Sequence, residues 1–175
     1  VDLRPFAAIE PTLATRGVRV TSLAAELRSD ARAWEKLRDA NVAAEFGWPD
    51  PDPSPNGNPP EPETVDQFRV RAREFQMIED ACFIAALGDV YVGYSALAMA
   101  DAARTRGNSG GTAVRPEYRG LGLATALKAR CVRWAQENGL RTLITSSGNA
   151  AMVRVNEKFG FRRTYVEVRL VRRPA

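Results

Sequence analysis

The chain has 175 residues, 45% of them hydrophobic and 26% charged, with 25 basic against 21 acidic side chains. That is the composition of one ordinary globular domain, too short for two, and no run approaches the length of a membrane span. It holds no histidine and only two cysteines, which excludes Ser-His-Asp and Cys-His catalysis and argues against a zinc centre or a disulfide framework.

Residues 1–15 show no clear pattern, so the expected organisation is an extension or linker over 1–15 followed by one domain over 16–175. Val18 to Leu23 alternates as a short strand. Asp30 is suited to cap a helix reaching about Phe46, with Ala33, Trp34, Leu37 and Ala44 inward. Trp48 to Pro62 is dense in proline and carries Asp50, Asp52 and Glu61, which forbids regular structure. It reads either as a plain surface loop or as a lid that shapes a binding site for a cationic group. Thr64-Val-Asp-Gln67 is a capping-box pattern opening a helix to about Gln76, with Phe68 and Phe75 read as core.

Ala81 to Leu87 and Val90 to Met99, joined by Gly88-Asp89, predict a hairpin. Asn108 to Val114 predicts the next strand, and its Gly110-Gly111 pair marks either flexibility or a bulge. Leu123 onward has helical spacing, and Asn138-Gly139 ends that helix with a left-handed signal. Leu140 to Thr145 predicts a strand, Ala150 to Lys158 a helix, and Phe161 to Val171 a last alternating strand. The order is strand, two helices, three strands, helix, strand, helix, strand. Cys82 and Cys131 fall inside apolar elements and read as buried thiols of a reducing compartment.

The net charge of +4 is interleaved with acids, which does not favour nucleic acid. The basic cluster Arg162, Arg163, Arg169, Arg172 and Arg173 fits a solvated strand face and equally the neighbourhood of an anionic cofactor.

The most informative stretch is Thr112-Ala-Val-Arg-Pro-Glu-Tyr-Arg119-Gly120-Leu121-Gly122-Leu123-Ala124-Thr125. It reads as a strand end, a proline turn and a glycine-bearing entry into a helix. Gly120 and Gly122 are expected on the first helical turn, where unpaired N–H groups and the helix dipole favour an anion. Arg119 adds a permanent cation. The dinucleotide pattern G-x-G-x-x-G is not completed, because Thr125 stands at its last position.

With the downstream stretch Asn149 to Gly160-Phe161, these residues resemble the GNAT superfamily of acetyl-coenzyme A-dependent N-acetyltransferases. Arg119-x-x-Gly122-x-Ala124 is similar to that family's pyrophosphate signature. The finer wording is similar to the bacterial branch that includes mycothiol synthase-like tandem GNAT proteins, in which a segment like 1–15 connects the two halves. The resemblance implies an α/β fold with a mixed central sheet, helices on both faces and acetyl-CoA as co-substrate. It implies cofactor contacts at Thr112, Ala113, Val114, Arg119, Gly120, Leu121, Gly122, Leu123, Ala124, Thr125, Asn149 and Asn156. It also implies a bulge in the strand before the turn, freeing an N–H near Ala113 or Val114 for the thioester carbonyl.

The acceptor implied is a primary amine of a small molecule or peptide, in the cytoplasm, without metal, membrane or nucleic acid. A homodimer or a tandem partner domain is compatible with the resemblance. Many relatives place an acidic tyrosine where this chain has Asn156, so that role is not carried over. Tyr94, Tyr165 and Asn156 are the catalytic candidates, with Glu45, Glu79 and Asp80 as carboxylates for a base. An inert CoA-binding domain with a structural or regulatory role is the alternative.

Overall fold

The computed structural model describes residues 1–45 and 62–166. Contacts divide the chain into a large unit, Asp2–Ser146, and a smaller one holding Val1 and the chain from Ser147 onward.

The large unit opens with a 3-10 turn, Arg4–Phe6, and helix α1, Ile9–Ala14, where the sequence showed no element. Pro11, Thr12 and Thr15 hide this helix from a propensity reading. It is held by tertiary contacts instead: Leu13 is buried, and Glu10 pairs with Arg130. Strand β1, Val18–Ser22, follows, and Ser22 caps a second unforeseen helix, α2, Leu23–Leu27, by accepting from the Ala25 N–H. Asp30 accepts from the Arg32 N–H at 2.8 Å ahead of α3, Ala33–Glu45. Ala33, Trp34, Leu37 and Ala44 of α3 are buried as expected. The proline-rich stretch lies outside the described residues apart from Pro62.

Helix α4, Val65–Glu74, begins with the predicted capping box between Thr64 and Gln67. Phe68 is buried, but Phe75 is 63% exposed, which corrects its reading as core. The cause is local. Gln76 has φ +53°, a left-handed turn that sends the chain directly into strand β2, Met77–Leu87, and leaves Phe75 outside. The hairpin turns at Gly88-Asp89 into β3, Val90–Met99, and then β4, Arg106–Val114. Helix α5 is Leu123–Glu137 and strand β5 is Thr142–Ile144, shorter than predicted. Between them Leu140 donates to Ala135 and Gly139 to Gln136, the paired bonds of a Schellman ending.

The strands form one five-stranded sheet in the order β1-β2-β3-β4-β5, antiparallel except for the parallel β4–β5 pair. One face packs Ile84, Ala86, Tyr91 and Ala96 beneath Leu23, Leu37 and Phe68 of α2, α3 and α4. The other packs Ala85, Val92 and Leu97 beneath Leu13 of α1 and Leu123, Leu127 and Cys131 of α5. This is the expected mixed sheet covered on both sides. Buried Glu26 ties α2 to the sheet, accepting from the Tyr91 hydroxyl at 2.8 Å and pairing with Arg19.

In the smaller unit, α6 spans Ala150–Lys158. Phe161 to Val166 carry no regular element, so the predicted last strand is not formed there, and its remainder, 167–171, lies outside the described residues.

Candidate active site

Strand β4 sets the geometry of the site. β5 covers its edge only from Arg106 to Asn108, and beyond that point the edge is open among the described residues. The β3–β4 register runs Ala98↔Asn108 and then Ala96↔Gly111, so β4 holds one extra residue around Ser109-Gly110. The glycine pair therefore does mark a bulge.

Beyond the bulge the ladder is regular, with Tyr94↔Ala113 and Gly93↔Val114. The Arg115 N–H donates to the Val92 carbonyl at 3.0 Å, which fixes the alternation. Ala113 therefore directs its amide to β3, whereas Thr112 and Val114 direct theirs to the open edge. Of the two donors considered from sequence, Val114 has the orientation a cleft ligand needs.

The strand end leads through a 3-10 turn, Pro116–Tyr118, to Arg119. Gly120 and Gly122 have φ +80° and +85°, a region costly for any residue with a Cβ. This conformation moves both glycines ahead of the first helical turn, where the sequence reading put them; Gly122 is the N-cap of α5. A Cβ on Gly120 would meet nothing within 4 Å, and one on Gly122 only an ordinary contact with Ile9, so conformation rather than space demands glycine.

The first intrahelical bond runs from the Ala126 N–H to the Gly122 carbonyl at 3.0 Å. The amides of Leu123, Ala124 and Thr125 have no partner inside the helix, and no cap side chain covers them. Three donors at the positive end of a long helix make a candidate anion cradle. Arg119 sits beside it, Nε donating to the Val114 carbonyl at 3.1 Å and Nη2 to the Ala44 carbonyl at 2.9 Å. It thus joins the cradle loop to the strand end as well as carrying charge.

The tyrosine candidates separate. Tyr94 is buried, its hydroxyl donates to Asn41 Oδ1, and its ring lies against Gly111, where a Cβ would come within 3.1 Å. Tyr165 is 75% exposed. Glu79 and Asp80 are exposed on β2, and the Glu45 side chain lies outside the described residues. In the smaller unit, Asn149 caps α6, accepting from the Ala151 and Met152 N–H groups at 2.8 and 3.3 Å. Asn156 is buried, with no hydrogen-bond partner for Oδ1 among the described residues.

Both cysteines are free; burial pushes the Cys131 thiol up to about 11 and the Cys82 thiol further still, so neither is a nucleophile at neutral pH. No cluster of potential metal ligands occurs among the described residues, and none of their helices is long and apolar enough to cross a membrane. Lys128 of α5 was missed from sequence. It is 1% exposed, and its ammonium donates to the Ser109 hydroxyl at 2.7 Å. A lysine within a helix-forming run gives no sign of burial.

The sequence pattern of the Acetyltransferase (GNAT) family matches residues 34–161. No curated protein matches the chain by sequence. Among solved structures, PH1933 from Pyrococcus horikoshii OT3 aligns with a TM-score of 0.64 at 20% identity, over 86% of this chain and 92% of its own. YncA from Salmonella typhimurium, a putative acetyltransferase solved with its cofactor acetyl-CoA, gives 0.62 at 17% identity, over 89% and 88%. The aminoglycoside N-acetyltransferase AAC(6')-Iy, in complex with CoA, gives 0.57 at 18% identity, over 90% and 94%. At these identities the likeness is one of fold.

Proposed function

The chain belongs to the GNAT acetyltransferase family, and on that premise we propose that it transfers an acetyl group from acetyl-CoA directly to a primary amine of a small molecule or peptide. One observation carries this reading: the open edge of β4 leads to a helix N-terminus framed by two left-handed glycines and free of side-chain caps. The amides of Leu123, Ala124 and Thr125 fit a pyrophosphate, with Arg119 beside them. The open β4 edge offers the Thr112 and Val114 amides to a pantetheine arm. A Val114 N–H aimed at the thioester carbonyl would stabilise the charge that develops on its oxygen.

Holding both substrates in one complex supplies much of the acceleration, so no acetyl-enzyme is required. The absence of histidine and of an ionisable cysteine supports direct transfer. The two unpaired cysteines are in keeping with a reducing, cytoplasmic setting.

The alternative is a CoA-binding domain without turnover. It is favoured by one observation: Tyr94, the buried tyrosine near the open strand, already spends its hydroxyl proton on Asn41. Steady-state thiol release from acetyl-CoA across a panel of primary amines separates the two. Amine-dependent release supports the transferase, and binding without release supports the inert domain.

A further inference from the structure

Ser109 joins three elements at the point where β4 leaves β5. Its hydroxyl accepts from Lys128 of α5 at 2.7 Å, and its carbonyl accepts from the Thr145 hydroxyl, just past β5, at 2.8 Å. The last β4–β5 pair is Asn108↔Ile144, so the Thr145 bond replaces the ladder at its final rung.

Ser109 and Thr112 are three residues apart, and a regular strand would turn them to opposite faces. Here both face α5. Ser109 meets Lys128, and Thr112 shares a 2.8 Å bond with Ser95, while its neighbour Ala113 packs with the opposite core beside Tyr94. The extra residue of the bulge makes that switch.

A buried ammonium is costly to desolvate, and burial alone holds Lys128 below the ordinary lysine range. A fully buried lysine beneath the parity switch is not there for packing, which leucine would do without the desolvation. We propose that Lys128 is a positioning residue: through Ser109 it fixes the bulge, and with it where β4 parts from β5 and how the Thr112 and Val114 amides face the cleft. The proposal rests on the CoA reading, because the cleft is where the pantetheine arm would lie.

The test uses the whole chain with Lys128→Met, Ser109→Ala and Ser109→Thr. Two ligands are titrated: CoA, and 3′-phospho-ADP, which keeps the pyrophosphate but lacks the pantetheine arm. Amide hydrogen exchange at Thr112 and Val114 is read without ligand. Lys128→Met and Ser109→Ala are expected to weaken CoA by about tenfold, the effect of one lost charged hydrogen bond, and to leave 3′-phospho-ADP unchanged. Both should alter exchange at Thr112 and Val114, and Ser109→Thr, which keeps the hydroxyl, should restore wild-type behaviour.

Equal weakening of both ligands, or unchanged CoA affinity in a folded variant, would overturn the proposal. If Lys128→Met does not fold, Ser109→Ala decides, since it removes a single oxygen. If the wild-type chain binds neither ligand, the CoA reading fails on its own account. The exchange data then judge the bulge: unchanged rates at Thr112 and Val114 in Ser109→Ala reject the role of Lys128.

Discussion

Arg119 donates from Nε to the carbonyl of Val114 at 3.1 Å. The residue whose N–H faces the open edge of the sheet is thereby fastened, through its other polar group, to the loop that opens α5. Cradle and cleft are one mechanical piece, and four residues of chain separate Val114 from Arg119.

Gly120→Ala and Gly122→Ala test the cradle. Each forces a Cβ into a left-handed conformation, which costs about 1–2 kcal/mol. Because little or nothing crowds the added methyl, relaxation of φ is the only response open, and it re-aims the Leu123 to Thr125 amides. Acetyl-CoA affinity should fall by about tenfold or more, roughly the loss of one charge-assisted bond. Calorimetric titration beside a thermal melt separates the two effects.

Tyr94→Phe tests the proton-carrier question. Its hydroxyl is committed to Asn41, so its loss should lower stability by about 1 kcal/mol. Amine-dependent thiol release should stay within an order of magnitude of wild type, whereas removal of a general acid would take about a hundredfold or more. A larger fall, with a lost basic limb in the pH profile, would restore Tyr94 as the acid.

Much of this was legible in the sequence because it rests on local chemistry. The Thr64–Gln67 box, the Gly139 ending and the turn at Gly88-Asp89 each require particular residues within a few positions. Gly120 and Gly122 stand out in the sequence too, but their left-handed φ, which sets them ahead of α5 rather than on its first turn, does not. What escaped depends on distant partners. Helix α1 exists because Leu13 is buried and Glu10 finds Arg130, 120 residues away. Helix α2 looked like the tail of a strand, since Val18 to Leu23 alternates and only the Ser22 cap turns the chain. Gln76 in a left-handed turn expels Phe75, an arrangement that nothing in its neighbours announces. In the candidate site, the glycines and Arg119 were readable, but the buried Lys128 was not.

The Glu26 cluster gives the fold an acid limit. Arg19, and after it the Tyr91 hydroxyl, hold the Glu26 carboxyl below the usual carboxylate range. A depressed native value means that the unfolded chain takes up the proton first, at roughly pH 4.3. The stability from this group is complete above that pH and is lost as pH falls through the native value. Glu26→Gln should therefore lower stability at pH 7 by about 2 kcal/mol and flatten the acid limb of a melting-temperature profile. An unchanged acid limb would contradict the assignment.

The open β4 edge and the α5 cradle together are the proposed acetyl-CoA site. Isothermal titration of the chain with acetyl-CoA, with NAD as the control, tests it most directly. Acetyl-CoA should bind with micromolar affinity and NAD, whose fingerprint Thr125 interrupts, not at all. No heat of binding with acetyl-CoA at millimolar concentration would contradict it, and would leave the family's fold standing without its chemistry.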